Sequence, residues 1–251
     1  MPLRGSRRIS VAALACATTL AHAAHPLISE DTGTQGTGKF ELEVGSEIHH
    51  VEGGGRVSEL DPQLSWGARD DIDVILRPTY FWLTGSAADS AGRHSGFGTT
   101  SLDVKWRPVE RKPWSFAVRA GVDLPTSQGD IGPHEGGGHV IAIATYEVDA
   151  IMATFNAAYS HLPKDIGFGE RRDILRFSAG ALTKLTDAVR LATDLATAQS
   201  ANEFDRTWPA VGVVGFIVTV PWGFDVDAGV QLPLNKHAPS TQWMLGATVR
   251  W

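Results

Sequence analysis

The chain has 251 residues, 43% of them hydrophobic, with 27 glycines, one cysteine and a formal charge of -6. So acidic a chain lacks the basic face of a nucleic-acid binder, and a single cysteine excludes an intrachain disulfide. No window after the first 24 residues approaches the ~18 unbroken apolar residues of a transmembrane helix.

Residues 1 to 24 open with Arg4, Arg7 and Arg8, run apolar from Ile9 to about Leu20 and reach Ala21-His22-Ala23. This is the layout of a secretory signal peptide, with cleavage expected near Ala23 or Ala24. Cys16 lies inside the signal, so the exported chain has no thiol for a disulfide or a thiolate metal site. Losing three arginines leaves 19 Lys and Arg against 28 Asp and Glu, a charge of -9.

Residues 25 to 37 (HPLISEDTGTQGT) are rich in Gly, Thr and acid and show no apolar period. They are expected as a periplasmic lead-in rather than a strand. His25-Pro26-Leu27-Ile28, then Glu30-Asp31-Thr32-Gly33-Thr34-Gln35-Gly36, then the alternating Phe40-Glu41-Leu42-Glu43, resembles the opening of the outer-membrane family named for the meta-pathway of phenol degradation. The resemblance is most specific over residues 25 to 44. It implies an outer-membrane transporter and, through the family's name, aromatic solutes.

From Gly38 onward, alternating stretches fall at about 38 to 49, 55 to 67, 71 to 83, 98 to 109, 113 to 125, 138 to 148, 151 to 161, 171 to 183, 188 to 199, 208 to 220, 223 to 234 and 241 to 251. Short turns alternate with longer links. About twelve strands with that asymmetry predict an all-β fold, a transmembrane antiparallel up-and-down β-barrel over residues 38 to 251 with both termini periplasmic. Phe116, Val118, Ala120, Val122 and Leu124 share one face while Ser115, Arg119 and Asp123 share the other. That split is what lipid on one side demands, since a charge facing the bilayer midplane costs ~2 to 4 kcal/mol. The stretch from Ala210 to Val220 is apolar on both faces. It is expected to pack against a plug or to line a dry patch of lumen.

Trp66, Trp106, Trp114, Trp222 and Trp251 lie beside short turns or the C-terminus, and Trp82, Trp208 and Trp243 beside long links. The eight sort into two aromatic girdles. At the end of the chain, Trp243, Leu245, Ala247, Val249 and Trp251 form one apolar face closing on tryptophan. This resembles the assembly signal that outer-membrane barrels hand to the barrel assembly machinery.

Facing inward, Glu41, Glu43, Glu47, Glu59, Asp61, Asp225 and Asp227 are expected as an acidic wall, opposite a basic wall of Arg77, Lys105, Arg107 and Arg119, with Arg176 and Arg190 further round. Two arrangements are open. One is a polar pore with a transverse field, screened over ~8 Å at physiological salt. The other is a lumen closed by mutual salt bridges. His49, His50, His94, His134, His139, His161 and His237 fall in or near the long links and are expected as scattered surface residues, with no metal site. His25 would offer an amine and imidazole chelate if cleavage followed Ala24. The adjacent pairs His94-Ser95 and Ser160-His161 do not make a hydrolase site, because neighbours on a strand point to opposite faces.

The function expected is passive diffusion of small solutes through a channel in a Gram-negative outer membrane, with lipid, the assembly machinery and a small solute as partners, without cofactor or catalysis. A structural or adhesive barrel with a filled lumen is the alternative. A lipid hydrolase ranks behind both.

Overall fold

The structure is a computed structural model describing residues 25–51, 53–162, 169–221 and 223–251. The expected signal peptide over residues 1 to 24, with Cys16, and the girdle residue Trp222 lie outside the described residues. Among the described residues no helix is long and apolar enough to cross a membrane.

Fourteen strand segments form one antiparallel sheet: β1 (Phe40–Val51), β2 (Gly55–Arg69), β3 (Ile72–Arg77), β4 (Tyr80–Thr84), β5 (Ser95–Phe97), β6 (Thr100–Arg111), β7 (Trp114–Leu124), β8 (Gly137–Val148), β9 (Ile151–His161), β10 (Asp173–Lys184), β11 (Val189–Ala198), β12 (Ala210–Thr219), β13 (Asp225–Pro233) and β14 (Gln242–Arg250). They make twelve staves. β3 and β4 pair with β2 in one continuous register, Leu64 opposite Leu76 and Leu60 opposite Tyr80, so they are a single strand interrupted at Pro78, which has no N–H for the ladder. β5 and β6 likewise continue one another beside them.

The sheet closes on itself. β1 pairs with β14 from Glu41 opposite Arg250 to His49 opposite Gln242, and Phe40 and Trp251 exchange backbone hydrogen bonds of 2.9 and 3.0 Å. Closure removes the unpaired edges that an open sheet would present. It also puts the start of β1 and the end of the chain at one end of the barrel, with the short turns.

The burial pattern is that of a soluble protein turned inside out. Trp106, Phe116, Val122, Phe155, Phe177, Phe216 and Leu245 are exposed, while Glu43, Asp61, Asp103, Arg119, Thr154 and Asp194 are buried. The alternation has period two along every long strand, so the apolar row faces outward and the polar row lines the interior. The seven tryptophans described are all exposed. At the short-turn end Phe40 stacks between Trp66 and Trp251, at 6.5 and 5.7 Å, and Trp114 meets Phe116 and Tyr146. At the other end Tyr80 meets Trp82 and Phe97, and Phe177 stacks on Trp208.

The link from Gly85 to His94 contains a six-residue helix, α1 (Ser86–Ala91). Ala87, Ala88 and Ala91 pack with Val57, Phe81, Leu83 and Ile131 into an apolar cluster inside that end of the barrel. Alanine suits the position because it combines high helix propensity with a small volume.

Candidate functional site

Residues 25 to 35 do not stay outside the barrel as a lead-in. They run into the lumen and follow its wall through most of a turn. The entry is pinned at the short-turn end, where the Thr37 amide and hydroxyl donate to Asp70 Oδ1 at 3.0 and 2.6 Å. Hydrogen bonding and a little cationic help from Lys39 and Arg69 hold the Asp70 carboxyl below its ordinary pKa. Inside the rim, the Gln35 amide donates to Asp73 and its side chain to Glu41. Thr32 then meets Thr145 on β8 and Ser115 on β7.

Glu30 occupies the middle of the lumen. Its amide donates to Asn156 Oδ1 at 2.6 Å, while its carbonyl accepts from Thr154 Oγ1 and Asn156 Nδ2 on β9. Its carboxylate lies 3.1 Å from Arg119 Nη1 and 3.2 Å from Lys105 Nζ. Arg119 is fully buried and also donates to Asp103 and to Gln63 Oε1 on β2. A buried guanidinium is stable only with its charge matched and its five N–H groups engaged.

Beyond Glu30 the segment continues round the wall. The Ser29 amide and hydroxyl donate to Asp194 on β11 at 2.6 and 2.9 Å. Ile28 packs with Ala196, Val211, Val213 and Met244, and Leu27 with Leu182, Ala192 and Ile217. The inward apolar row of β12 therefore packs against a plug. His25 ends the described segment, its amide donating to Glu43 Oε2 on β1 at 3.1 Å and its Nδ1 bonded to Asp227 on β13.

The wall is cut to fit. A Cβ built on Gly45 would lie 2.9 Å from the His25 ring, one on Gly246 2.6 Å from His25 Nδ1, and one on Gly229 2.9 Å from Pro26. Gly215 would meet Pro26 at 2.6 Å and Gly180 would meet Ser29 at 3.2 Å. Glycine inside a strand marks a place where another part of the chain comes close.

The charges do not form two opposed walls. Asp61 and Arg77 are neighbours, 3.9 Å apart, and Asp73 and Asp103 interleave with Lys105 and Arg119. Asp225 accepts from both Arg190 and Arg250, at 2.8 and 2.9 Å, and Arg250 also meets Glu41. Arg176 donates to Ser160 Oγ, and Glu47 accepts from Gln242. Arg107 ends the inward row of β6 at the rim, beside the register shift between Trp106 and Val109, where it binds Glu110 and the Asp70 carbonyl. Of the histidines expected at the surface, His49 is buried and His139 half-buried. His139 lies between Asp103 at 3.2 Å and Asp123 at 3.4 Å. Among the described residues no group of His, Cys, Asp and Glu could hold a metal ion.

Between the segment and the wall remains a cavity of about 200 Å³, lined by Glu30, Asp31 and Gln35 on one side and by Glu41, Gln63, Asp73, Lys105 and Arg250 on the other. Its surface mixes carboxylates, cations and amides.

Comparison of the backbone with solved structures decides the fold. The COG4313 outer-membrane channel from Pseudomonas putida F1 matches with a TM-score of 0.67 at 12% identity, over 88% of this chain and 98% of that one. The fold is that of an outer-membrane β-barrel. The NanC porin matches with a TM-score of 0.57 and the KdgM porin, solved in complex with disordered oligogalacturonate, with 0.56. Each is 7% identical over 83% of this chain and 97% of the porin. No family model matches the sequence, and no curated protein matches it.

Proposed function

We propose that this protein is an outer-membrane channel for the passive diffusion of small solutes. Its short turns and both termini face the periplasm, and α1 lies at the outer mouth. The observation that carries the reading is the closed barrel with an apolar exterior and a charged, hydrogen-bonding interior that keeps a polar cavity beside the segment. The backbone likeness to a channel and to two porins supports the same reading.

Glu41, Asp73, Lys105 and Arg250 face one space and suit a small polar or dipolar solute, moving down its gradient without a cofactor. Aromatic solutes are supported by the resemblance of residues 25 to 44 alone. The strand from Trp243 to Trp251 serves as the signal read by the assembly machinery, and the two tryptophan girdles anchor the barrel in lipid.

One observation favours a second reading. The segment fills the middle of the lumen, as a sealed structural barrel would require. Planar-bilayer recording of the refolded protein separates the two. The channel reading expects small, discrete conductance from the full exported chain and larger conductance once residues 25–35 are deleted. A full chain that never conducts at any voltage, beside a deletion variant that does, makes the barrel a sealed one.

A further inference from the structure

We propose that the polar cavity beside the inserted segment is a binding site for a small organic cation, a primary ammonium ion held by Asp73 and Asp31. This names the solute of the channel reading and rests on it, although binding itself needs no conduction.

The sign of the solute follows from how the two cations of the cavity are already held. Lys105 Nζ lies 3.2 Å from Glu30 and 3.8 Å from Asp31. Arg250 donates from Nε to Glu41 at 2.7 Å and from Nη1 to Asp225 at 2.9 Å. Each cation therefore faces two carboxylates, and neither is left to draw in an anion. Within the lining, Glu30, Asp31, Glu41 and Asp73 stand against Lys105 and Arg250, so the charge in excess is negative.

That excess is centred on Asp73, which is 1% exposed. Lys105 stands opposite it on β6 but turns its Nζ to Glu30, and among the described residues no cation pairs with Asp73. Both its oxygens share the single amide of Gln35, at 3.1 and 3.2 Å. A carboxylate accepts about four hydrogen bonds, so most of this capacity is left for the cavity that Asp73 lines. An ammonium ion supplies both the matching charge and several N–H donors, and such charge-assisted hydrogen bonds are roughly twice as strong as neutral ones. A bare metal ion is the poorer guest, because among the described residues no group of carboxylates and imidazoles could ligate one. Size narrows the class further. The cavity of about 200 Å³ has the volume of roughly six waters at ~30 Å³ each, enough for a primary amine of a few carbons and too little for a bulky quaternary ion.

Calorimetric titration of the refolded exported chain at low ionic strength, where charge is least screened, tests the site with propylammonium chloride against sodium propionate. Propylammonium is expected to bind saturably, sodium propionate not to bind, and tetrabutylammonium not to displace propylammonium. Asp73→Asn keeps the shape and an acceptor for the Gln35 amide, and is expected to weaken propylammonium binding by about tenfold or more. No binding of propylammonium, equal binding of propionate, displacement by tetrabutylammonium, or an unchanged affinity in Asp73→Asn would each overturn the inference. Should that variant fail to give a heat-modifiable barrel, the contrast between the probes on wild-type protein still decides. Planar-bilayer recording keeps the parent reading separate. A barrel that binds propylammonium and never conducts defeats the channel and leaves the site, whereas one that conducts and binds neither probe defeats the site and leaves the channel.

Discussion

Arg119 sits where four parts of the chain meet: its own strand β7, Asp103 on β6, Gln63 on β2 and Glu30 of the inserted segment. Removing its charge leaves two buried carboxylates with one basic neighbour each, Glu30 with Lys105 and Asp103 with His139, so Arg119→Gln is expected to lower stability by ~3 to 5 kcal/mol in urea unfolding of the refolded barrel. Lys184→Gln is the control. Its pair with Asp187 is solvated on both sides, and the unfolding midpoint should not move. Asp70 supplies a pH test at the same scale. Its folded-state pKa is lowered, chiefly by the Thr37 hydroxyl and amide. The stabilisation it gives is therefore fully present above its unfolded value and lost as pH falls through the folded one. Hydrogen exchange at residues 33–38, corrected for the intrinsic rate, should accelerate on acidification through that window, and Asp70→Asn should remove the dependence.

At the scale of elements, the strands were readable and their contents were not. Period-two alternation locates every stave, because lipid enforces a nearly charge-free outer row from Leu102 to Val249. The interruption at Pro78 and the bulge at Trp106 escape that signal, since neither changes the outward hydrophobicity. Helix α1 was hidden for a different reason. Six residues are too few to carry a helical period, and what stabilises them is burial against Phe81 and Leu83. The inserted segment has no period at all. Its trace lies in its partners: inward glycines at 45, 180, 215, 229 and 246, and inward valines on β12, which together outline an absent guest. The charges misled for a related reason. Inward side chains can be assigned from the pattern, but the pairing of Asp61 with Arg77 and of Asp225 with Arg190 depends on register, and that of Glu41 with Arg250 on closure. Gly45→Val tests the seat. The three atoms nearest to a Cβ there all belong to the His25 ring, so the barrel should fold and conduct more than wild type in planar bilayers.

For the molecule as a whole, the alternation of short turns with long links makes sidedness measurable. A protease site after Gly92 or Gly136 should be cut on intact cells and one after Arg111 should be spared, because the first two lie in loops that accept insertions and the third in a tight turn at the opposite end. Trp251→Asp should be exported without yielding a heat-modifiable barrel, since the residue closes the seam on Phe40 and ends the signal strand.

His25 touches that seam from within, meeting Glu43 on the first strand and Asp227 on the thirteenth, with Gly246 of the last strand between them. Its contact with Asp227 joins residues 202 apart in sequence. The two residues that hold it lie on β1 and β13, which the closing of the seam on β14 brings to one place. The beginning of the chain, first to leave the ribosome, is thus among the last parts to reach its native place. During refolding the ladder should be complete, and the barrel resistant to protease, before His25 becomes protected. A barrel caught in that interval should conduct like the variant lacking residues 25–35, with conductance in planar bilayers falling as the segment seats.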